Sequence, residues 1–161
     1  MTKNTDMDYG LLEKQVEALL SGEPDALAST ANFVALLNDS LEDVNWVGIY
    51  VLRGNELVLG PFQGKPACVH LPLGRGVCGT AAERRQTLRI ADVHQFDGHI
   101  VCDSASNSEM VVPLIWNQRL LGVLDIDSPL HDRFSAKDQA GMESVCAAYV
   151  RALELSSDTF I

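Results

Sequence analysis

The sequence predicts an α+β domain: an antiparallel sheet of about six strands flanked by helices. Two observations carry this. Apolar residues recur at helical spacing up to about residue 41, then alternate with period two from residue 45. The alternating segments then follow one another across short turns, which pairs neighbouring strands antiparallel, and a long helical segment closes the chain. Helices have to cover the apolar faces of such a sheet. With 161 residues, 47% of them apolar, the chain can build one core, so a single domain is expected over 1–161 with its core at about 9–155.

The elements follow in order. Residues 9–20 place Leu12, Val16, Leu19 and Leu20 on one helical face. "SGEPD" at 21–25 stops that helix and starts another, with Pro24 suited to a first turn. The second helix is expected to turn Leu27, Ala31, Val34, Leu37 and Leu41 inward. "NWVGIYVL" (45–52) reads as a strand, "RGN" as a turn, and "ELVLGPF" (56–62) as the hairpin partner. "ACVHL" (67–71) is a third strand. "LGRGVCGTAAERRQ" (73–86) is a Gly-rich loop opening a short helix, and "TLRIAD" (87–92) a fourth strand. A polar loop at 93–108 follows. "EMVVPLIW" (109–116) and "RLLGVLDI" (119–126) form a hairpin across Asn117 and Gln118. The last helix starts at Ser135 with Asp138 at N3, runs to about Leu155, and buries Met142, Val145, Tyr149 and Leu153.

The totals exclude several classes. A formal charge of −10 and a pI near 4.6 would repel phosphate backbones, so no nucleic-acid partner is expected. The N-terminal residues are polar, without the apolar stretch of a signal peptide, and no apolar run approaches the ~18 residues of a membrane span. No membrane partner is expected, and the expected compartment is the cytoplasm. There, four cysteines are thiols with a structural or catalytic task rather than a permanent disulfide frame.

Cys102 is the unusual one. It sits among Asp, Ser, Asn, Gly and His in a sixteen-residue loop, and loops of that length in compact domains are usually functional. By its surroundings it is a stray loop thiol, half of a disulfide, a metal ligand or a nucleophile. Cys68 enters the Gly-rich turn. Cys78 falls at a helix N-terminus, where the dipole is expected to favour its thiolate. Cys146 lies on the apolar face of the last helix and belongs to the core. The cysteines are spaced 10, 24 and 44 residues apart, with no C-x-x-C, and the four histidines are scattered, so no metal site is expected. "GRGVCG" (74–79) satisfies G-x-G-x-x-G, but its strands read antiparallel, and the glycines are taken as turn and close-packing residues. "LDID" puts Asp125 and Asp127 on one face at a strand end, and Glu109 opens the neighbouring strand. In "NWVGIY" the face of Trp46, Gly48 and Tyr50 is suited to wall a pocket, while Val47, Ile49 and Val51 face the core.

Taken together, "VNW-x-G-x-Y" (44–50), "LGPFQGKPAC" (59–68), "GRGVCGTA" (74–81), "DVHQFDGHIVCDSASNSE" (92–109) and "GVLDIDS" (122–128) resemble the free methionine-(R)-sulfoxide reductases, which are single GAF domains. The likeness spans about residues 9–155. It implies that Cys102 is the nucleophile, Cys68 the resolving cysteine and Cys78 a relay thiol. It also implies that Trp46, Tyr50, Glu109, Asp125 and Asp127 line the substrate pocket, with Asp127 polarising or protonating the sulfoxide oxygen. A Cys102 sulfenic acid would be resolved as a disulfide with Cys68 and reduced by thioredoxin, itself fed by NADPH through thioredoxin reductase. No bound cofactor is implied, a homodimer is, and the activity would counter oxidative damage. Two rivals stand beside this reading: a small-molecule-sensing GAF module without catalysis, and a general thiol peroxidase or redox sensor. The sensing modules usually sit in longer chains with an output domain, for which this sequence leaves no room after its closing helix.

Overall fold

The computed structural model describes residues 6–100, 102–155, 160 and 161. Val101, one of the two apolar residues preceding Cys102, lies outside them. The elements are α1 (Tyr9–Leu20), α2 (Ala26–Ser40), β1 (Trp46–Arg53), β2 (Glu56–Gln63), β3 (His70–Pro72), α3 (Gly76–Arg84), β4 (Leu88–Ile90), a 3₁₀ turn (Val93–Gln95), β5 (Ser108–Trp116), β6 (Arg119–Ser128) and α4 (Ala136–Ala152). The six strands form one sheet in the order β3-β2-β1-β6-β5-β4, and every neighbouring pair is antiparallel. The α+β expectation and its strand number hold.

Alternation along the strands sends side chains to two cores. Val47, Ile49, Val51, Val112, Leu124 and Ile126 face a large core shared with α1, α2 and α4. Trp46, Tyr50, Leu57, Val111 and Val123 face a smaller one closed by α3 and its neighbouring loops. Ser135 and Asp138 form the expected capping box of α4, and Cys146 is buried in the large core.

The helical faces differ from expectation at three leucine or alanine positions. Leu19 is 44% exposed, because α1 buries the stripe Leu12, Val16 and Leu20. In α2 the inward residues are Thr30, Phe33, Val34 and Leu37, while Leu27 and Ala31 are exposed. Phe33 sets that rotation: it stacks on Tyr149 with ring centroids 4.1 Å apart, and the Tyr149 hydroxyl hydrogen-bonds Thr30 Oγ1. Pro24 precedes the N-cap, Asp25, rather than entering the first turn. The third strand covers only 70–72 instead of 67–71, and the fourth only 88–90. Within the missing part the Cys68 carbonyl is taken by the Tyr50 hydroxyl of β1 rather than by a strand partner. The closing helix ends at Ala152, three residues before its expected limit.

Candidate functional site

The register of the three central strands assembles the site. Trp46 of β1 lies opposite Asp127 of β6, and Gly48 opposite Asp125. On the other side of β6, Glu109 of β5 lies opposite Asp127, and Val111 opposite Asp125. Directly opposed residues share a face. Trp46, Tyr50, Glu109, Asp125 and Asp127 therefore converge on one pocket, together with Cys78, Cys102, His99, Arg75 and Lys65. Of the eight site residues that the resemblance named, seven line this pocket; Cys68 does not, but it is bonded to Cys102, which does.

The aromatic side of the pocket is stacked. The Trp46 ring lies 5.8 Å from Tyr50 and 5.3 Å from Phe62, nearly parallel to the latter. Gly48 makes this possible: a Cβ there would stand 2.4 Å from Trp46 Cη2 and 2.6 Å from Phe62 Cβ. The polar tips of both rings grip the next loop. Trp46 Nε1 donates to the Lys65 carbonyl at 3.1 Å, and the Tyr50 hydroxyl donates to the Cys68 carbonyl at 2.9 Å. The pocket aromatics thus also hold the segment that carries Cys68.

The acidic side has no comparable set of partners. Glu109 and Asp125 are each 6% exposed, and Asp125 Oδ1 has no hydrogen-bond partner. Burial pushes the Glu109 carboxyl well above its usual range, and the charges of Asp125 and Asp127 push it further. Asp127 is raised in the same direction, by burial first and then by Asp125 and Asp103. Asp125 is raised by burial, but hydrogen bonds from Glu109 and Cys78 favour its ionised form. Asp125 is accordingly the member of the trio best prepared to carry the charge, and Glu109 and Asp127 are the proton holders.

Cys78 departs from expectation. It does lie in the first turn of α3, but it is buried against the acids, with Sγ 3.8 Å from Glu109 Oε1. Burial and the neighbouring carboxylates push its thiol well up, which outweighs the helix dipole. It is a protonated thiol here, not a favoured thiolate. The glycines around it serve close packing, as expected: a Cβ at Gly79 would stand 2.2 Å from the Pro72 carbonyl oxygen.

Cys102 and Cys68 are joined in a disulfide, with Cα atoms 5.7 Å apart. The loop carrying Cys102 is tied down at several points. Val93 N–H donates to the Asn107 carbonyl, Asn107 N–H to the Ser128 carbonyl, and Ile100 packs into the smaller core against Gly76. Asn45, just before β1, donates through Nδ2 to Asp103 Oδ2 at 3.2 Å and to Ser106 Oγ at 3.1 Å.

Sequence reasoning missed several of these residues. His99 comes within 4.0 Å of Glu109 Oε2 through Nε2, and burial holds its pKa below the usual value. Asn45 and Ser106 brace the loop, and Arg75 lines the pocket. All four lie within the quoted blocks, yet single polar residues carry no periodic signal. The cysteine and histidine spacings predicted no metal site; the fold nonetheless gathers Cys78, Glu109 and Asp125, whose donor atoms lie within 4.8 Å of one another.

An antiparallel sheet with helices on one face and a small-molecule pocket on the other defines a GAF domain, and the GAF domain family matches residues 10–153. The free methionine-R-sulfoxide reductase of Escherichia coli is 52% identical over 145 residues, which cover 90% of this chain and 88% of that protein. The reduced form of the Staphylococcus aureus enzyme superposes with a TM-score of 0.90 at 50% identity, covering 95% of this chain and 99% of that one. The Neisseria meningitidis enzyme in complex with its substrate gives 0.86 at 38% identity, covering 91% and 88%. The chain belongs to the free methionine-(R)-sulfoxide reductase family of GAF domains.

Among the described residues, no helix is long and apolar enough to cross a membrane.

Proposed function

We propose that the chain reduces free methionine-(R)-sulfoxide to methionine, using Cys102 as nucleophile and Cys68 as resolving thiol. One observation carries this: the Cys68–Cys102 disulfide at a pocket on which three buried acids converge, Glu109 and Asp127 among them as proton holders. The reduced Cys102 thiolate attacks the sulfoxide sulfur. The oxygen takes a proton as the sulfur–oxygen bond breaks, and Asp127, with Glu109 assisting, supplies it. Methionine leaves and Cys102 becomes a sulfenic acid. The Cys68 thiol attacks that sulfur, water departs, and the disulfide forms. A thioredoxin-type dithiol then takes the oxidising equivalents and returns both thiols, drawing on NADPH through its reductase. The work fits a cytoplasmic enzyme that repairs oxidative damage, and a homodimer is the assembly proposed for it.

The pocket's charges account for a free amino acid as substrate. Asp125, buried and with one oxygen unpartnered, is placed to receive an α-ammonium. The start of α3, at Gly76–Cys78, has no side-chain cap and offers its N–H groups to an α-carboxylate. A peptide-linked sulfoxide lacks one or both charges. Trp46 and Tyr50 face the thioether end. Cys78 has the position of a relay thiol, but it would need to give up its proton before taking that part.

The test is NADPH oxidation coupled through thioredoxin and its reductase. Free methionine-R-sulfoxide, the S epimer and a peptide-linked sulfoxide are supplied in turn. Turnover of the free R form alone, abolished by Cys102→Ser, is expected. No turnover of any sulfoxide by protein with reduced thiols would overturn the reading in favour of a sensing module.

A further inference from the structure

The acid cluster holds donor atoms suited to a second kind of cation besides the substrate ammonium. Cys78 Sγ, Glu109 and Asp125 present donor atoms within 4.8 Å of one another, all on buried side chains. Asp125 Oδ1 has no hydrogen-bond partner although the residue is only 6% exposed. The ion-pair neighbour of the cluster among the described residues is His99, whose Nε2 stands 4.0 Å from Glu109 Oε2. A lone carboxylate oxygen left dry in this way calls for a cation.

We propose that Cys78, Glu109 and Asp125 bind a thiophilic divalent cation of the Zn²⁺ class, and that this ion inhibits the enzyme by filling the ammonium end of the pocket. The inhibitory half rests on the function proposed above; the site itself does not. A tetrahedral ion with bonds of about 2.0–2.3 Å holds its donors about 3.3–3.8 Å apart. The Cys78–Glu109 pair already stands at 3.8 Å, and the other donor atoms, within 4.8 Å of one another, need to close by no more than about 1 Å to 1.5 Å. One sulfur with carboxylate oxygens suits zinc, cadmium or cobalt, whereas calcium and magnesium demand shells of oxygen. Binding moves no electrons. The metal–ligand bonds form as the thiol proton of Cys78 and the carboxyl proton of Glu109 pass to solvent, and affinity therefore rises with pH. Cys78 is not part of the disulfide, which leaves the site available in the oxidised protein.

That last point supplies a clean test. With the Cys68–Cys102 disulfide intact, the free thiols are Cys78 and Cys146, and Cys146 lies in the core on the far side of the sheet. Cobalt(II) titrated into the oxidised protein is expected to give a thiolate-to-metal charge-transfer band and d–d bands of tetrahedral intensity, both displaced by zinc. Cys78→Ser should abolish the charge-transfer band, Cys146→Ala should keep it, and Asp125→Asn should weaken binding roughly tenfold or more. In the reduced enzyme zinc should raise the apparent KM for the sulfoxide with kcat unchanged, and EDTA should reverse this. Absence of the band, or a band that survives Cys78→Ser, overturns the site. Zinc that leaves the KM of an active enzyme unchanged overturns the inhibitory half. A protein that binds cobalt as described but reduces no sulfoxide without metal also removes the inhibitory half, and marks the failure of the functional reading instead.

Discussion

Gly48→Ala is the sharpest probe of how the sheet builds the pocket. The new methyl carbon would stand 2.4 Å from Trp46 Cη2, 2.6 Å from Phe62 Cβ and 2.7 Å from Trp46 Cζ3. Carbon atoms settle at about 3.5–4.0 Å, so the indole must retreat by about 1 Å or more. Overpacking of this kind costs about 1–3 kcal/mol. The retreat also strains the bond from Trp46 Nε1 to the Lys65 carbonyl, a further loss of about 0.5–1.5 kcal/mol. Replacing glycine returns about 0.4–1 kcal/mol by stiffening the unfolded chain. The net expectation is a loss of about 2–3 kcal/mol in urea unfolding of the oxidised protein. In the coupled assay, KM for the free sulfoxide should rise about fivefold, the equivalent of about 1 kcal/mol of lost contact with the aromatic wall. Stability within 0.5 kcal/mol of the parent (about the scatter of neutral surface changes) together with an unchanged KM would refute the claim that this glycine exists to seat the indole.

Asp127→Asn should keep the fold and lower single-turnover methionine release about 10²–10⁴-fold, the usual value of a general acid; an unchanged rate removes Asp127 as proton donor. The rate should also fall on the alkaline side as the raised carboxyls of Glu109 and Asp127 ionise. In Asp125→Asn that limb should move to lower pH, because a repelling charge is gone; a shift upward contradicts the assignment. Stability follows the same groups. Their folded pKa values lie above the unfolded ones, so the folded protein holds protons that the unfolded chain releases above about pH 4. That stability is present below pH 4 and is lost as pH rises through the folded values, and urea midpoints at pH 5 and pH 8 should differ less in Asp127→Asn than in the parent. Ser135→Ala, which removes one arm of the capping box of α4, should cost about 0.5–2 kcal/mol with no effect on KM; a change in KM would tie α4 to the site.

Much of this was legible in the residues. The alternation in "NWVGIY" separated Trp46 and Tyr50 from the aliphatic face of the same strand, and β1 keeps that separation across two cores. The single-residue spacing in "LDID" put Asp125 and Asp127 on one face, which the strand period alone guarantees. What could not be read was whatever depends on pairing across the sheet. The Cys78 thiol is pushed up by burial and then by carboxylates on β5 and β6, and a helix-terminus argument contains none of these. The shortening of β3 goes with a side-chain hydrogen bond from Tyr50 of β1 to the Cys68 carbonyl. The rotation of α2 follows from Phe33 finding Tyr149, a partner on the last helix, and leucine spacing within α2 carries no trace of it.

The pairing of β1 with β6 has a consequence for how the molecule comes into being. The N-terminal hairpin can close and seat its aromatics around the Cys68 loop from local contacts alone. The acids opposite Trp46 and Gly48 arrive only when β6, synthesised some eighty residues after the start of β1, docks along that strand. Long-range pairings of this kind form late, because the intervening chain must first be gathered in. On a ribosome, the three thiols that meet around the pocket therefore emerge before the carboxylates of β6 that hold Cys78 protonated. Until that strand docks, Cys78 lacks both the burial and the β6 carboxylates that push its thiol up. The seam between β1 and β6 ends that interval and completes the site in the same event.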